Sequence, residues 1–276
     1  MMRKGWKWFE PFVYILLVSL FLGCRSEYEK LKRSPDVAKK YEKAKEYYNK
    51  KDYYRALPLF EELVTIFRGT DEAETIYYYY AYCNYGMKDL LAARFHFKTF
   101  ADTYPNSKYA EECRFMAAYC YYFESPTYSL DQENTYKAVE ALQLFINLYP
   151  ESERVKESNE LIDKLRAKLE LKSYDIAKLY YNIGDYKSAV ISFRNSIDDF
   201  PDTKYREEME FLMIKSSYLY AKNSVENKQM ERYAETVKLF DTFVENYSSS
   251  EYMKDANGIN RDAMKQLESR KKLVLN

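Results

Sequence analysis

The stretch from Ser173 to Thr203 constrains this chain more than any other. It carries Ala177, the pair Tyr180 and Tyr181, then Gly184, Asp185 and Tyr186, then Ala189, Phe193 and finally Pro201. Small residues at Ala177 and Ala189 allow two helices to approach closely. Tyr180, Tyr186 and Phe193 fill the seam between them, and the Gly184–Asp185 pair makes the turn. Pro201 closes the second helix, because a proline cannot continue one. A single hairpin of this kind leaves an apolar face uncovered, so the pattern has to recur.

It recurs along the whole chain. The small residue of the second helix stands at Ala56, Ala93, Ala138, Ala189 and Thr236, each followed by Phe60, Phe97, Leu142, Phe193 or Phe240. The closing position reads Arg68, Pro105, Pro150, Pro201 and Ser248. These are tetratricopeptide-type repeats, and their spacings of 37, 45, 51 and 47 residues exceed the ideal period, so loops or longer helices must absorb the excess. The predicted fold is all-α, a right-handed solenoid of about five helix-turn-helix repeats with a C-terminal capping helix over Glu251–Lys271. Insertions are expected between the helices of the third repeat (Glu124–Asn134) and of the fifth (Asn223–Met230). Leu161, Leu165 and Leu169, at four-residue spacing, predict one helix running from about Glu153 into the fourth repeat.

The chain begins with Arg3, Lys4 and Lys7, followed by an almost unbroken apolar run over Phe12–Leu22. A basic segment before about eleven apolar residues reads as a secretory leader, too short to span a bilayer comfortably. The run ends in Leu22-Gly23-Cys24, which resembles the lipobox of bacterial lipoproteins, where the cysteine is acylated and becomes the mature N-terminus. The expected organisation is therefore a signal peptide over 1–23 and a lipidated, flexible tether over 24–35. N-terminal repeats would follow over 36–172, and C-terminal repeats with the capping helix over 173–276. Arg25, in place of an aspartate, implies sorting to the outer membrane.

Composition then excludes several functions. Cleavage before Cys24 would leave 40 basic and 42 acidic residues, so nothing favours nucleic acid. Both tryptophans, Trp6 and Trp8, would leave with the signal peptide. Cys83 and Cys120 hold equivalent places in consecutive repeats, on the order of 10 Å apart, and read with Cys113 as buried, reduced core residues. His96, the one histidine, lies between Phe95 and Phe97 and reads as structural. No paired-cysteine spacing suggests a metal, and the six glycines form no phosphate-cradling loop. Glu111–Glu112 and Asp198–Asp199 read as solubilising charge on solvent faces. No catalytic residue, metal site or cofactor is expected, and the chain reads as a binding protein rather than an enzyme.

The binding surface is expected on the first helices of the N-terminal repeats. Tyr41 and Tyr48, then Tyr78, Tyr82 and Tyr85, then Phe115, Tyr119 and Tyr122 would line one groove, with Lys45 and Arg114 at its rim. Tyrosine offers a large contact area at low entropic cost and a hydroxyl to reach peptide backbone, which suits an extended peptide bearing aromatic side chains.

The lipobox, the five repeats, and an insertion carrying Ser129, Leu130, Asp131 and Gln132 come together with Lys137-Ala138, Leu142-Gln143, Phe145-Ile146, Tyr149-Pro150 and Tyr205-Arg206-Glu207-Glu208. In this combination the chain resembles the BamD family of the outer-membrane β-barrel assembly (BAM) machinery. The resemblance implies a periplasmic lipoprotein on the inner leaflet of the outer membrane. It implies N-terminal repeats that recognise C-terminal signals of unfolded barrel precursors. It also implies C-terminal repeats that dock a BamA-like barrel subunit, alongside other BAM lipoproteins. Two other readings share parts of this pattern: a generic repeat lipoprotein coordinating peptidoglycan synthesis, and a SusD-like nutrient-binding lipoprotein.

Overall fold

A computed structural model describes residues 27–275. The expected signal peptide and Cys24 lie outside these residues. Within them the chain is all-helical. A short helix, α1 (27–32), precedes α2 (Val37–Asn49), α3 (Tyr53–Ile66), α4 (Ala73–Gly86), α5 (Leu90–Thr103), α6 (Ala110–Glu124) and α7 (Glu133–Leu148). Then come α8 (Val155–Asn182), α9 (Tyr186–Asp199), α10 (Arg206–Lys222), α11 (Glu226–Asn246) and α12 (Met253–Leu275). Consecutive helices pack from α2 to α7 and from α9 to α12, and the C-terminal part of α8 shares a core with α9 through Ala177, Ala189 and Phe193, so α2–α3, α4–α5, α6–α7, α8–α9 and α10–α11 are the five predicted hairpins and α12 is the terminal helix. The chain forms two compact units. One runs up to Pro126 and includes Glu133–Ile162; the other comprises Thr127–Gln132 and everything from Asp163.

The repeat positions behave as the spacing demands. Ala56, Ala93, Ala138, Ala189 and Thr236 are all fully buried. Phe60, Phe97, Leu142 and Phe193 are buried beside them, and Phe240 nearly so. Thr236 occupies an alanine position because its hydroxyl has a partner, Ser217 Oγ at 2.9 Å, and it also donates to the Arg232 carbonyl at 3.1 Å. Without those bonds a buried hydroxyl would cost the helix pair free energy.

Three of the hairpins share one turn. The amide of Asp52 donates to Tyr47 O and that of Lys51 to Tyr48 O; Asp89 and Lys88 donate to Asn84 and Tyr85, and Asp185 and Gly184 to Tyr180 and Tyr181. This paired bonding at a helix C-terminus needs a left-handed residue, and Lys51 (φ 58°), Lys88 (φ 64°) and Gly184 (φ 83°) supply it. The aspartate that follows each of them caps the next helix, accepting from the amides of Arg55, Ala92 and Ser188 at 3.0–3.2 Å. One short turn thereby ends one helix and starts the next. At the tip of α4 the approach to α3 is close: a Cβ on Gly86 would lie 2.3 Å from the Tyr53 ring.

A second turn joins one hairpin to the next. Tyr104-Pro105, Tyr149-Pro150 and Phe200-Pro201 end α5, α7 and α9, because the residue before a proline is driven out of the helical region. Tyr104, Tyr149 and Tyr247 fold back onto Phe100, Phe145 and Phe243 with ring centroids 5.2–5.5 Å apart. Ser107, Ser152, Thr203 and Ser250 then accept the amide two residues ahead.

Two expectations need correction. The segment expected as a flexible tether is partly helical: α1 packs on the first hairpin through Leu31, which is 8 % exposed, and through Tyr28. Tyr28 meets the Tyr47 ring edge-on at 5.9 Å and donates to the Arg55 carbonyl at 3.1 Å. In the fifth repeat the surplus residues are not a loop, since α10 ends at Lys222 and α11 begins at Glu226. They lengthen α11 to 21 residues instead. The third-repeat insertion is a loop as expected, and the long helix into the fourth repeat is α8, of 28 residues.

Candidate functional site

The predicted groove residues all stand on α2, α4 and α6, the first helices of three successive hairpins in the first unit. Their neighbours divide them into two kinds. Tyr78 and Tyr82 belong to the seam between hairpins: the Tyr78 ring stacks on Tyr109 of the connecting turn at 4.3 Å, and the Tyr82 hydroxyl donates to Glu112 on α6. Phe115 is buried, 1 % exposed, and does not line a groove. It lies under Tyr119, stacked at 5.4 Å, and beneath the Arg154 guanidinium at 4.2 Å.

This seam is a repeated device. Tyr109 on Tyr78, Arg154 on Phe115, Tyr205 on Tyr174 and Tyr252 on Phe211 are equivalent pairs, each joining a turn residue to the first helix of the preceding hairpin. Ring and cation separations of 4.2–4.7 Å are those of productive stacking. A carboxylate three residues after the turn aromatic completes two of them. Glu112 accepts from Tyr82 and pairs with Arg154 at 2.7 Å, while Glu208 accepts from Tyr174 at 2.7 Å and from Lys178 at 3.0 Å. Burial, then the bond to Glu112, pushes the Tyr82 phenol well above its ordinary range. Glu112 is therefore half-buried and shared by two partners, not a solvating charge, and its neighbour Glu111 accepts the Ser152 hydroxyl.

The remaining predicted residues are partly covered to differing degrees. Tyr48 packs among Tyr53, Phe60 and Tyr79, 4.7 Å from the last, and belongs to the core of the first hairpin, whereas Tyr41 lies under the Lys45 ammonium at 4.5 Å. Tyr85 stands at the end of α4, 6.4 Å from Tyr82, with Lys88 over its ring. On α6 the Tyr119 and Tyr122 rings are nearly parallel, 8° apart in plane at 5.9 Å, and Phe123 meets Tyr119 edge-on at 4.8 Å. Phe123 is 52 % exposed. Arg114 pairs with Asp102 at 2.8 Å and is mostly covered. Sequence reasoning missed Phe123, Tyr109, Arg154 and the role of Glu112. The recurring turn of Ser or Thr, one residue, then an aromatic or Arg was the available signal.

The family-insertion residues lie in the loop between α6 and α7. Gln132 is buried and donates to the carbonyls of Thr127 (2.8 Å) and Leu130 (2.9 Å), folding the loop on itself. The Leu130 carbonyl also takes the Lys172 ammonium, and the Leu130 side chain is 59 % exposed. Ser129 meets Thr127 through its hydroxyl, and Asp131 is exposed.

Cys83, Cys113 and Cys120 are buried free thiols, and burial raises all three, Cys83 and Cys120 to about 12. His96 packs against Tyr80 at 4.6 Å and its Nδ1 faces the Tyr77 hydroxyl at 3.3 Å. Among the described residues no group of His, Cys, Asp and Glu could hold a metal ion, and no helix is long and apolar enough to cross a membrane.

The arrangement defines a class: a tetratricopeptide-type repeat protein with an aromatic face on successive first helices, the build of a protein-interaction scaffold. Residues 34–232 match the family model YfiO, described as outer membrane lipoprotein, and the chain belongs to that family. No curated protein matches it. Among solved structures it is similar to a Podosopora anserina kinesin light chain of nearly identical TPR-like repeats, at 12 % identity over 80 % of this chain and 99 % of that one, with a TM-score of 0.33.

Proposed function

We propose that this chain is a non-catalytic lipoprotein subunit of the outer-membrane β-barrel assembly machinery, held by acylated Cys24 on the periplasmic face of the membrane. Its N-terminal hairpins bind the C-terminal signals of unfolded barrel precursors, and its C-terminal hairpins dock a BamA-like subunit. Membership of an outer membrane lipoprotein family supports the setting. The observation that carries the binding role is the aromatic face of α4 and α6, where Tyr85, Tyr119 and Tyr122 keep ring surface accessible beside exposed Phe123. Barrel signals are extended, alternate apolar residues and end on an aromatic ring, so ring stacking is the interaction such a face offers.

The structure refines which tyrosines to test. Tyr78 and Tyr82 hold hairpins together, so their loss would damage the fold as well as the surface. Tyr119→Ala with Tyr122→Ala removes ring surface and leaves the buried Phe115 in place. The double variant is expected to weaken binding of a peptide ending in a barrel signal about tenfold, as aromatic anchors do, while staying folded with a modestly lower melting temperature because Tyr119 covers Phe115. Undiminished affinity in a folded double variant would remove α6 from the binding surface.

A further inference from the structure

The first hairpin carries a cationic cleft that the aromatic face does not use. Helix α1 lies across α2 through Leu31 and Tyr28, and the turn between them leaves a cleft of about 580 Å3. Lys30, Lys39 and Lys43 line it together with Ser34 and Tyr47. Ser34 Oγ accepts the Asp36 amide at 3.1 Å, which leaves its proton free to donate. Two carboxylates face the same region. Glu27 lines the cleft, and Glu46 pairs with Lys43 at 2.6 Å. Among the described residues neither Lys30 nor Lys39 has an ion-pair partner. The three lysines outnumber the carboxylates Glu27 and Glu46, so the cleft keeps a net positive charge that a bound anion would offset.

The donor set narrows the anion. Compact ammonium groups and hydroxyls arranged around a pocket suit a tetrahedral oxyanion with several oxygens, whereas a planar carboxylate is better matched by a bidentate guanidinium. The position narrows its source. Lys30 is six residues beyond Cys24, so the connecting chain spans at most about 20 Å. With Cys24 acylated, which rests on the function proposed above, the cleft stays within reach of the phosphate layer of the bilayer.

We propose that the α1–α2 cleft binds a phosphate group, carried by an acidic phospholipid beside the anchor. Headgroup capture there would fix the first hairpin to the membrane surface at a second point, in addition to the acyl chains. Neutral lipids, whose phosphate is already balanced by choline, are excluded by the same charge argument.

The test is titration calorimetry on the protein purified in an uncharged detergent, using phosphatidic acid, phosphatidylcholine and inorganic phosphate as separate probes. Lys30→Gln, Lys39→Gln and Lys43→Gln are combined in one variant; Lys32→Gln, Lys98→Gln and Lys254→Gln remove equal charge elsewhere. Phosphatidic acid binding is expected to weaken at least tenfold in the cleft variant and to hold in the control. Inorganic phosphate bound as tightly as the lipid, with the same lysine dependence, would keep the site and make the free anion its ligand. Equal binding by the cleft variant and the wild type overturns the proposal, as does equal loss in both variants. The acyl mass on the N-terminal peptide of the same sample is read separately by mass spectrometry, so failure of the lipoprotein reading is distinguishable from failure of the cleft.

Discussion

At the scale of single residues, Glu112 joins the groups on which the second and third hairpins meet. It takes the Tyr82 hydroxyl from α4 and the Arg154 guanidinium from the next turn, and that guanidinium covers the Phe115 ring. Tyr82→Phe keeps the ring on Phe97 and removes only the bond to a charged acceptor. The expected cost is about 1–2 kcal/mol, read as a lower urea midpoint, because an ionised acceptor strengthens the bond while partial exposure of Glu112 returns some of it to water. No loss of stability would mean that Glu112 is solvated in the native state. These roles were hard to read from sequence. Glu112 sits beside Glu111 in a helix that looks evenly charged, and only the fold shows that one carboxylate faces Tyr82 while the other stays exposed. Tyr78 and Tyr82 were legible as aromatic residues of the first helix. Their partners, Tyr109 and Glu112, are about 30 residues away in sequence and were not.

At the scale of elements, the hairpins are most legible where small and large residues alternate at fixed intervals. Ala56, Ala93, Ala138 and Ala189 announce the second helices, and the prolines announce their ends. Where a repeat departs from the ideal period, sequence alone did not say whether the surplus forms a loop or a longer helix. Ser125-Pro126 breaks the third repeat into a loop, whereas Asn223–Met230 contains no proline or glycine and its second half joins α11. The shared turn makes a prediction at this scale. Lys51 and Lys88 hold the left-handed position that Gly184 holds in the fourth hairpin, at a steric cost glycine does not bear. Lys51→Gly and Lys88→Gly should each stabilise the protein by about 0.5–1 kcal/mol, and Gly184→Ala should destabilise it by ~1 kcal/mol, in thermal unfolding. A stabilising Gly184→Ala would show that the turn does not impose its backbone angle.

At the scale of the whole molecule, the interior is rich in groups that hold their protons only while folded. Cys83 and Cys120 are pushed up to about 12 from an ordinary 9.0, and the Tyr218 phenol to about 12 from 10.0, all chiefly by burial. Above pH 9 the unfolded chain releases these protons and the native chain keeps them, so the native state binds more protons and stability must fall as pH rises toward 12. His96 acts at the other end: burial lowers its pKa below 6.5, so the unfolded state binds the extra proton and stability declines as pH falls through that value. Urea unfolding across pH should therefore show a plateau bounded on both sides, and a midpoint independent of pH above 9 would contradict the burial of these groups. The thiols should likewise resist alkylation at neutral pH and react once the chain is unfolded.

What this repeat scaffold does in the cell is decided by the partners it keeps. The measurement that tests it most directly is a mild-detergent pull-down of the tagged protein from native outer membranes, with mass spectrometry of the copurifying chains. The account predicts a stoichiometric BamA-like barrel subunit with periplasmic repeats. A cell-wall synthase or a glycan transporter in its place, with no such barrel, would contradict it.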